Sequence, residues 1–195
     1  MNLKLKEPIK DFRKGSFLIV VDERHRENEG DLVLAAEKVS PERINFMIRH
    51  ARGLVCVPML NGRLKELKLP PMNEVNTELH KCKFTVSVDC KHGTTTGISA
   101  FDRAKTIKAL VSNKAKPEDF AKPGHVFPLI SDEGGLKSRP GHTEASIELC
   151  KLAGMYPAAV ICEIISDNGK MANFSELKKF AKKWKIKIIK IEDLL

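Results

Sequence analysis

Apolar and polar positions alternate between two rhythms along this chain. Short apolar runs at Phe17 to Val21, Asp31 to Ala35, Leu54 to Val57, Phe84 to Asp89, Val126 to Leu129, Ala158 to Ile165 and Lys187 to Ile191 read as strands. Between them the spacing becomes helical. Ser40, Pro41 and Glu42 supply an N-cap, a proline suited to the first turn and an acid at the positive helix end; Ile44, Met47, Ile48 and Ala51 form the buried stripe, and Gly53 sits just past the end. Ser99 and Asp102 resemble a capping box for a helix carrying Phe101, Ala104, Ile107 and Val111. Thr143 is expected to cap a third helix ending near Gly154, and Leu177, Phe180, Ala181 and Trp184 mark a fourth. Strands and helices alternating from end to end argue for mixed α and β structure in layers, and against a bundle or a sandwich. No repeat or linker interrupts the pattern, but strand order cannot be read from it.

Composition narrows the class. At 195 residues with 42% hydrophobic content, one compact domain with a sizeable core is expected. The first residues lack a secretory h-region, and no apolar run approaches the roughly 20 residues needed to span a bilayer. A soluble, cytoplasmic protein with no membrane partner is the expectation. Cys56, Cys82, Cys90, Cys150 and Cys162 are odd in number and widely spread, without C-x-x-C spacing, so they read as reduced small apolar residues and not as a disulfide or zinc framework. The net charge of +9 raises a nucleic-acid reading. Much of the excess, however, lies on lysines between Lys178 and Lys190, around the fourth helix's apolar stripe, and one Tyr and one Trp make a poor base-stacking platform.

Three polar knots at element edges could carry chemistry. Arg26-Glu27-Asn28-Glu29-Gly30-Asp31 follows the first apolar run; it is either a charged turn, with Gly30 supplying positive φ, or a polar site. Ser138-Arg139-Pro140-Gly141-His142-Thr143-Glu144 leads into the third helix. A helix N-terminus with an arginine, a glycine and a hydroxyl suits a phosphate, while an ordinary cap explains Thr143 and Glu144 but leaves Arg139 and His142 without a role. Glu163 is a lone carboxylate in an apolar strand. Buried on both faces it must be paired, metal-bound or catalytic, and on a one-sided strand it simply faces solvent. Pro123-Gly124-His125 before a strand, and Gly93-Thr94-Thr95-Thr96-Gly97 before the second helix, are weaker signals; the latter fits a loop as well as a phosphate cradle.

In combination these segments resemble the 3,4-dihydroxy-2-butanone 4-phosphate synthase family of riboflavin biosynthesis. The likeness covers nearly the whole chain. Its carriers are Arg26 to Asp31, Thr95 to Ala100 with Asp102-Arg103-Ala104 following Phe101, Pro123 to Leu129, Gly141 to Ala145, and Ile161 to Ile164. The resemblance implies an α+β fold with three α-β-α layers around a mixed twisted sheet, residues 1–195 forming a single synthase domain with no room for the cyclohydrolase half of some relatives. It implies a homodimeric lyase that converts ribulose 5-phosphate into formate and L-3,4-dihydroxy-2-butanone 4-phosphate, with no redox cofactor and one or two magnesium ions per site. Because histidine is an unusual magnesium ligand, manganese stands beside it. By the same resemblance Glu27 and His142 bind metal; Arg26, Glu27 and Asp31 meet the sugar; Arg139, Pro140, Gly141, His142 and Thr143 hold the phosphate. Glu163 contacts substrate near the reacting carbons and His125 completes an acid–base set, so the catalytic group is Glu163, His125, Asp31 and Glu27. The first base is left open among Glu163, Asp31 and Glu27. The family commonly has acids just before its ArgGlu pair, whereas Arg24 and His25 intervene here after Asp22-Glu23. Another phosphosugar lyase or isomerase, and a basic RNA- or nucleotide-binding module, are the competing readings.

Overall fold

The structure is a computed structural model, and it describes residues 3–23 and 25–195. Arg24, one of the two intervening residues, lies outside the described set. Thirteen helices and strands of regular length follow in order: α1 (Lys6–Arg13), β1 (Leu18–Val21), β2 (Gly30–Ala35), α2 (Pro41–Phe46), β3 (Cys56–Met59), α3 (Asn61–Glu66), β4 (Val88–Cys90), α4 (Ala100–Val111), β5 (Phe120–Ile130), α5 (His142–Leu152), β6 (Ala159–Glu163), α6 (Phe174–Trp184) and β7 (Lys187–Lys190).

The strands form one seven-stranded sheet in the order β4-β5-β3-β6-β2-β1-β7. It is mixed: β1 pairs antiparallel with β2 and parallel with β7, β2 and β6 are antiparallel, and β3 runs parallel to β5. Helices cover both faces, which is why the central strands are apolar throughout and not alternating. On one face Ile44 and Met47 of the α2 region, Ala104, Ile107 and Leu110 of α4, and Leu177 and Ala181 of α6 pack on Ile19, Leu32, Val160 and Cys162. On the other, Ile9 and Phe12 of α1 and Ala145, Leu149 and Cys150 of α5 pack on Val20, Val33, Ala159 and Ile161. The three-layer α+β arrangement expected from the sequence is therefore present. No helix among the described residues is long and apolar enough to cross a membrane. All five cysteines are free, and four are buried.

Local signals were legible to different degrees. The Ser40 and Ser99 hydroxyls cap their helices by accepting from the amides of Arg43 and Asp102. Thr143 does not cap: Gly141 is the N-cap of α5, and Thr143 lies buried inside the first turn. Gly30 does not supply the positive φ of its loop. Asn28 does, at φ 55°, and Gly30 belongs to β2, where an added Cβ would stand 2.5 Å from Leu177 Cδ1. The helix begun at Pro41 ends in a π-turn over Met47–Ala51 with Arg52 left-handed at φ 75°, so Gly53 lies one residue beyond the cap. Pro123 to His125 fall within β5, not ahead of it. The expected strand at Phe84 to Asp89 shrinks to Val88–Cys90, preceded by isolated bridges at Phe84 and Thr85.

Candidate active site

Sheet register builds the floor of a pocket. In the antiparallel β2–β6 ladder Asp31 stands directly opposite Glu163, and on the neighbouring strand Cys56 faces Ile161. Asp31 shares side-chain parity with Val33, and Glu163 with Ile161, so both carboxylates point to the α5 side of the sheet. The fully buried strand expected around Glu163 holds for Ala159 to Cys162. Glu163 itself is half-buried, because β6 ends there and opens onto the pocket. Two carboxylates placed across a ladder repel one another, which structural packing alone would avoid.

The N-terminus of α5 and the polar loop form the walls. His142, 5% exposed, places Nδ1 3.3 Å from Glu27 Oε2. Glu27 Oε1 in turn lies 2.8 Å from Arg26 Nη2. Asp22, one of the two acids ahead of the intervening Arg24 and His25, is the organiser of this loop. Its carboxylate accepts from the amides of Glu27 and Glu29, each at 2.9 Å, and from Arg26 Nη1 at 3.1 Å. Over Gly141 two guanidiniums converge: an added Cβ would come within 2.5 Å of Arg139 Nη1 and 2.9 Å of Arg26 Nη2. Arg139 is held from behind by the buried Glu144 at 2.7 Å and by donating to the His80 carbonyl. The pocket enclosed by these groups has a volume of about 390 Å³. It brings together Arg26, Glu27, Asp31, Arg139, His142, Thr143 and Glu163. Pro140 is exposed, and neither it nor Gly141 is among the residues that line the pocket.

Electrostatics marks the same residues. Burial alone would raise Glu27, but the hydrogen bond and charge of His142, followed by Arg26, hold it down at about 2. Burial would depress His142, yet the charges of Asp31, Glu27 and Asp22 and the Glu27 hydrogen bond carry it up to about 9. Asp31, 3% exposed, is pushed up to about 7 by burial and by repulsion from Glu163, Glu27 and Glu29, against the pull of His142.

A divalent cation fits this donor set. Asp22, Glu27 and His142 present ligand atoms within 4.8 Å of one another. His142 Nε2 and Asp31 Oδ1 are both buried with no hydrogen-bond partner, a cost that a cation or a bound hydroxyl would remove. Most of Asp22's acceptor capacity is already spent on the loop amides, so Glu27 and His142 are the freer ligands.

His125 is not brought into this pocket. It lies exposed on β5, with Nδ1 2.7 Å from Asp89 Oδ2 and its amide donating to Asp89 Oδ1 at 2.9 Å. The Thr/Gly run beside it is a loop: Asp102 accepts from the Thr95 and Gly97 amides and from the Thr95 hydroxyl, leaving those amides unavailable to a phosphate. The sequence reading missed Cys56, His80, Cys82 and Phe84, which also line the pocket. No spacing signal joined them to the polar knots, because sheet order and an irregular loop bring them there.

Known proteins match at every level. The sequence profile of the 3,4-dihydroxy-2-butanone 4-phosphate synthase family matches residues 6–195. The riboflavin biosynthesis protein RibBA of Endomicrobium trichonymphae is 57% identical over 97% of the chain, of which it takes up 47% of that relative's length. The 3,4-dihydroxy-2-butanone 4-phosphate synthase of Agrobacterium fabrum is 50% identical over 98% of the chain and 90% of its own length. The chain thus spans about half the length of several curated relatives, among them the RibBA proteins of Endomicrobium trichonymphae and Aquifex aeolicus. A solved structure of 3,4-dihydroxy-2-butanone 4-phosphate synthase in complex with two magnesium ions superposes with a TM-score of 0.93 at 44% identity, covering 97% of this chain and 94% of that one.

Proposed function

The chain belongs to the 3,4-dihydroxy-2-butanone 4-phosphate synthase family, and from that premise we propose that it converts ribulose 5-phosphate into formate and L-3,4-dihydroxy-2-butanone 4-phosphate. The observation that carries the reading is the convergence of Asp31, Glu163, Glu27 and His142 beneath two arginines at the start of α5. A phosphosugar needs a dianion site at one end and proton-transfer groups at the other, and the pocket has both.

The phosphate binds at the α5 N-terminus, where free amides, Gly141 and the Arg26 and Arg139 guanidiniums give positive potential and room, with Pro140, His142 and Thr143 completing the turn. Asp31 and Arg26 hold sugar hydroxyls. Glu27 and His142 hold magnesium, in one- or two-ion form, with manganese a substitute. When bound, the ion supplies positive charge to the ketose oxygens as negative charge develops on them. Glu163 takes the first proton. Glu163 stands where β6 opens onto the pocket; Glu27, held ionised at about 2, is too weak a base for that step, and Asp31, pushed up to about 7, can gain and lose a proton near neutral pH and so exchanges protons with the sugar oxygens.

His125 joins the acid–base set from a second copy of the chain. His125 is exposed, as are Ile98 at 51% and Phe101 at 70%, which give a homodimer apolar surface to bury. The protein works in the cytoplasm on a small molecule, without nucleic acid, and residues 1–195 form a synthase domain. Formate released from ribulose 5-phosphate with magnesium, and the identity of the four-carbon product, test the proposal; a different product indicates another phosphosugar lyase or isomerase.

A further inference from the structure

Glu163 is gripped at two points by the segment that follows the π-turn. The Gly53 amide donates to the Glu163 carbonyl at 3.1 Å, and the Leu54 amide donates to Glu163 Oε2 at 2.7 Å. On either side the chain is tied to the same strand end: Arg52 bridges Ile164, and the Ile165 amide donates to the Ala51 carbonyl at 2.9 Å. The space between is fully used. A Cβ on Gly53 would overlap Glu163 Oε2 and stand 2.5 Å from the Glu163 carbonyl oxygen and 2.7 Å from its nitrogen. Gly53 is not among the residues at positive φ, so it is the close approach of the Glu163 carboxylate and backbone, and not a left-handed conformation of its own, that demands glycine.

The π-turn explains how two consecutive amides reach one residue. An α-helix continued from α2 would keep the Arg52 amide on the carbonyl four residues back. Here it donates to Met47, five residues back, at 3.1 Å, and the left-handed Arg52 then turns Gly53 and Leu54 flat along the end of β6.

We propose that Gly53 and the Leu54 amide form a clamp that fixes the working rotamer of Glu163, tying Oε2 to the backbone and leaving Oε1 as the oxygen presented to substrate. Gly53 is a positioning residue acting through Glu163. The proposal rests on the reading of Glu163 as a proton-transfer group.

Gly53→Ala tests it. Displacing a base by about 1 Å costs on the order of a hundredfold in rate, so kcat for formate release should fall about ten- to a hundredfold with KM changed less than about threefold, because the phosphate site is untouched. In a Glu163→Gln background the same substitution should cause no further loss. A further loss of similar size, or unchanged kcat in Gly53→Ala with an active wild type, overturns the clamp alone. Wild-type protein that releases no formate overturns the reaction and the clamp together. A crystal structure of the wild-type protein with ribulose 5-phosphate and no added metal covers the case in which Gly53→Ala does not fold. Oε2 on the Leu54 amide with Oε1 toward the sugar supports the proposal, and a carboxylate turned away from Leu54 overturns it.

Discussion

Asp31 shows what the site costs the fold. The folded protein holds its proton to about 7, whereas the unfolded chain releases it near 3.8, so stability falls as pH rises through that window and the penalty is complete above it. His142 acts in the opposite sense: raised from 6.5 to about 9, it stabilises the fold below 6.5 and loses that contribution as pH passes 9. Removing the Asp31 charge also weakens His142, so the net gain is smaller than the Asp31 shift alone suggests. Asp31→Asn in metal-free protein at pH 8 is expected to be more stable by about 1–2 kcal/mol, with activity reduced at least about a hundredfold. Thermal melts from pH 4 to 9 check this, and an unchanged or lowered melting temperature at pH 8 would count against Asp31 being a strained acid. For the phosphate end, Arg139→Lys should raise KM about tenfold with a smaller effect on kcat, since lysine cannot hold Glu144 and a phosphate with one planar fork; steady-state kinetics decides it. Residue identity made these positions legible in the sequence, because a lone glutamate in an apolar strand and a glycine–histidine pair at a helix start are uncommon. Their partners were not. That Asp31 faces Glu163 depends on the register of two strands distant in sequence.

At the level of elements, the polar loop owes its shape to Asp22. One carboxylate satisfies two loop amides and an arginine, while Asn28 takes the left-handed turn that the sequence suggested for Gly30. Asp22→Ala should free both amides, raise KM for substrate or metal about tenfold, and speed hydrogen exchange at Glu27 and Glu29. Retained protection of those amides would show that the loop holds itself. The charge run announced a loop but not its anchor, because a carboxylate bonding five and seven residues ahead follows no helical or strand period. The same holds for α5. Thr143 and Glu144 read as an ordinary cap, yet both are buried, Glu144 being spent on Arg139. Helix α1 carries Ile9 and Phe12, with Leu5 as its N-cap, at helical spacing, a stripe the sequence reading passed over, whereas α3 buries only Leu64, and the π-turn after α2 is a phase slip that a 3.6-residue pattern does not announce.

Across the whole molecule, layered α+β architecture followed from the alternation of apolar runs and helical stripes, whereas strand order and mixed direction did not. That order places β2 beside β6 in the middle of the sheet; β5 reaches the pocket through Leu129, but His125 lies four residues earlier, ahead of the stretch that pairs with β3, and is not among the residues that line it. If a second copy supplies it, His125→Ala and His142→Ala are each inactive, and a re-equilibrated mixture of the two recovers about a quarter of wild-type activity, because half the dimers carry one intact site. A mixture as inactive as its components would show that His125 does not act from a second copy, and undiminished activity in His125→Ala would place it outside the reaction. The central claim is tested most directly by incubating the purified protein with ribulose 5-phosphate and measuring formate with and without magnesium. Formate released in step with a four-carbon phosphosugar, and abolished by chelation or by Glu27→Gln, is the predicted result; no formate with either magnesium or manganese would contradict it.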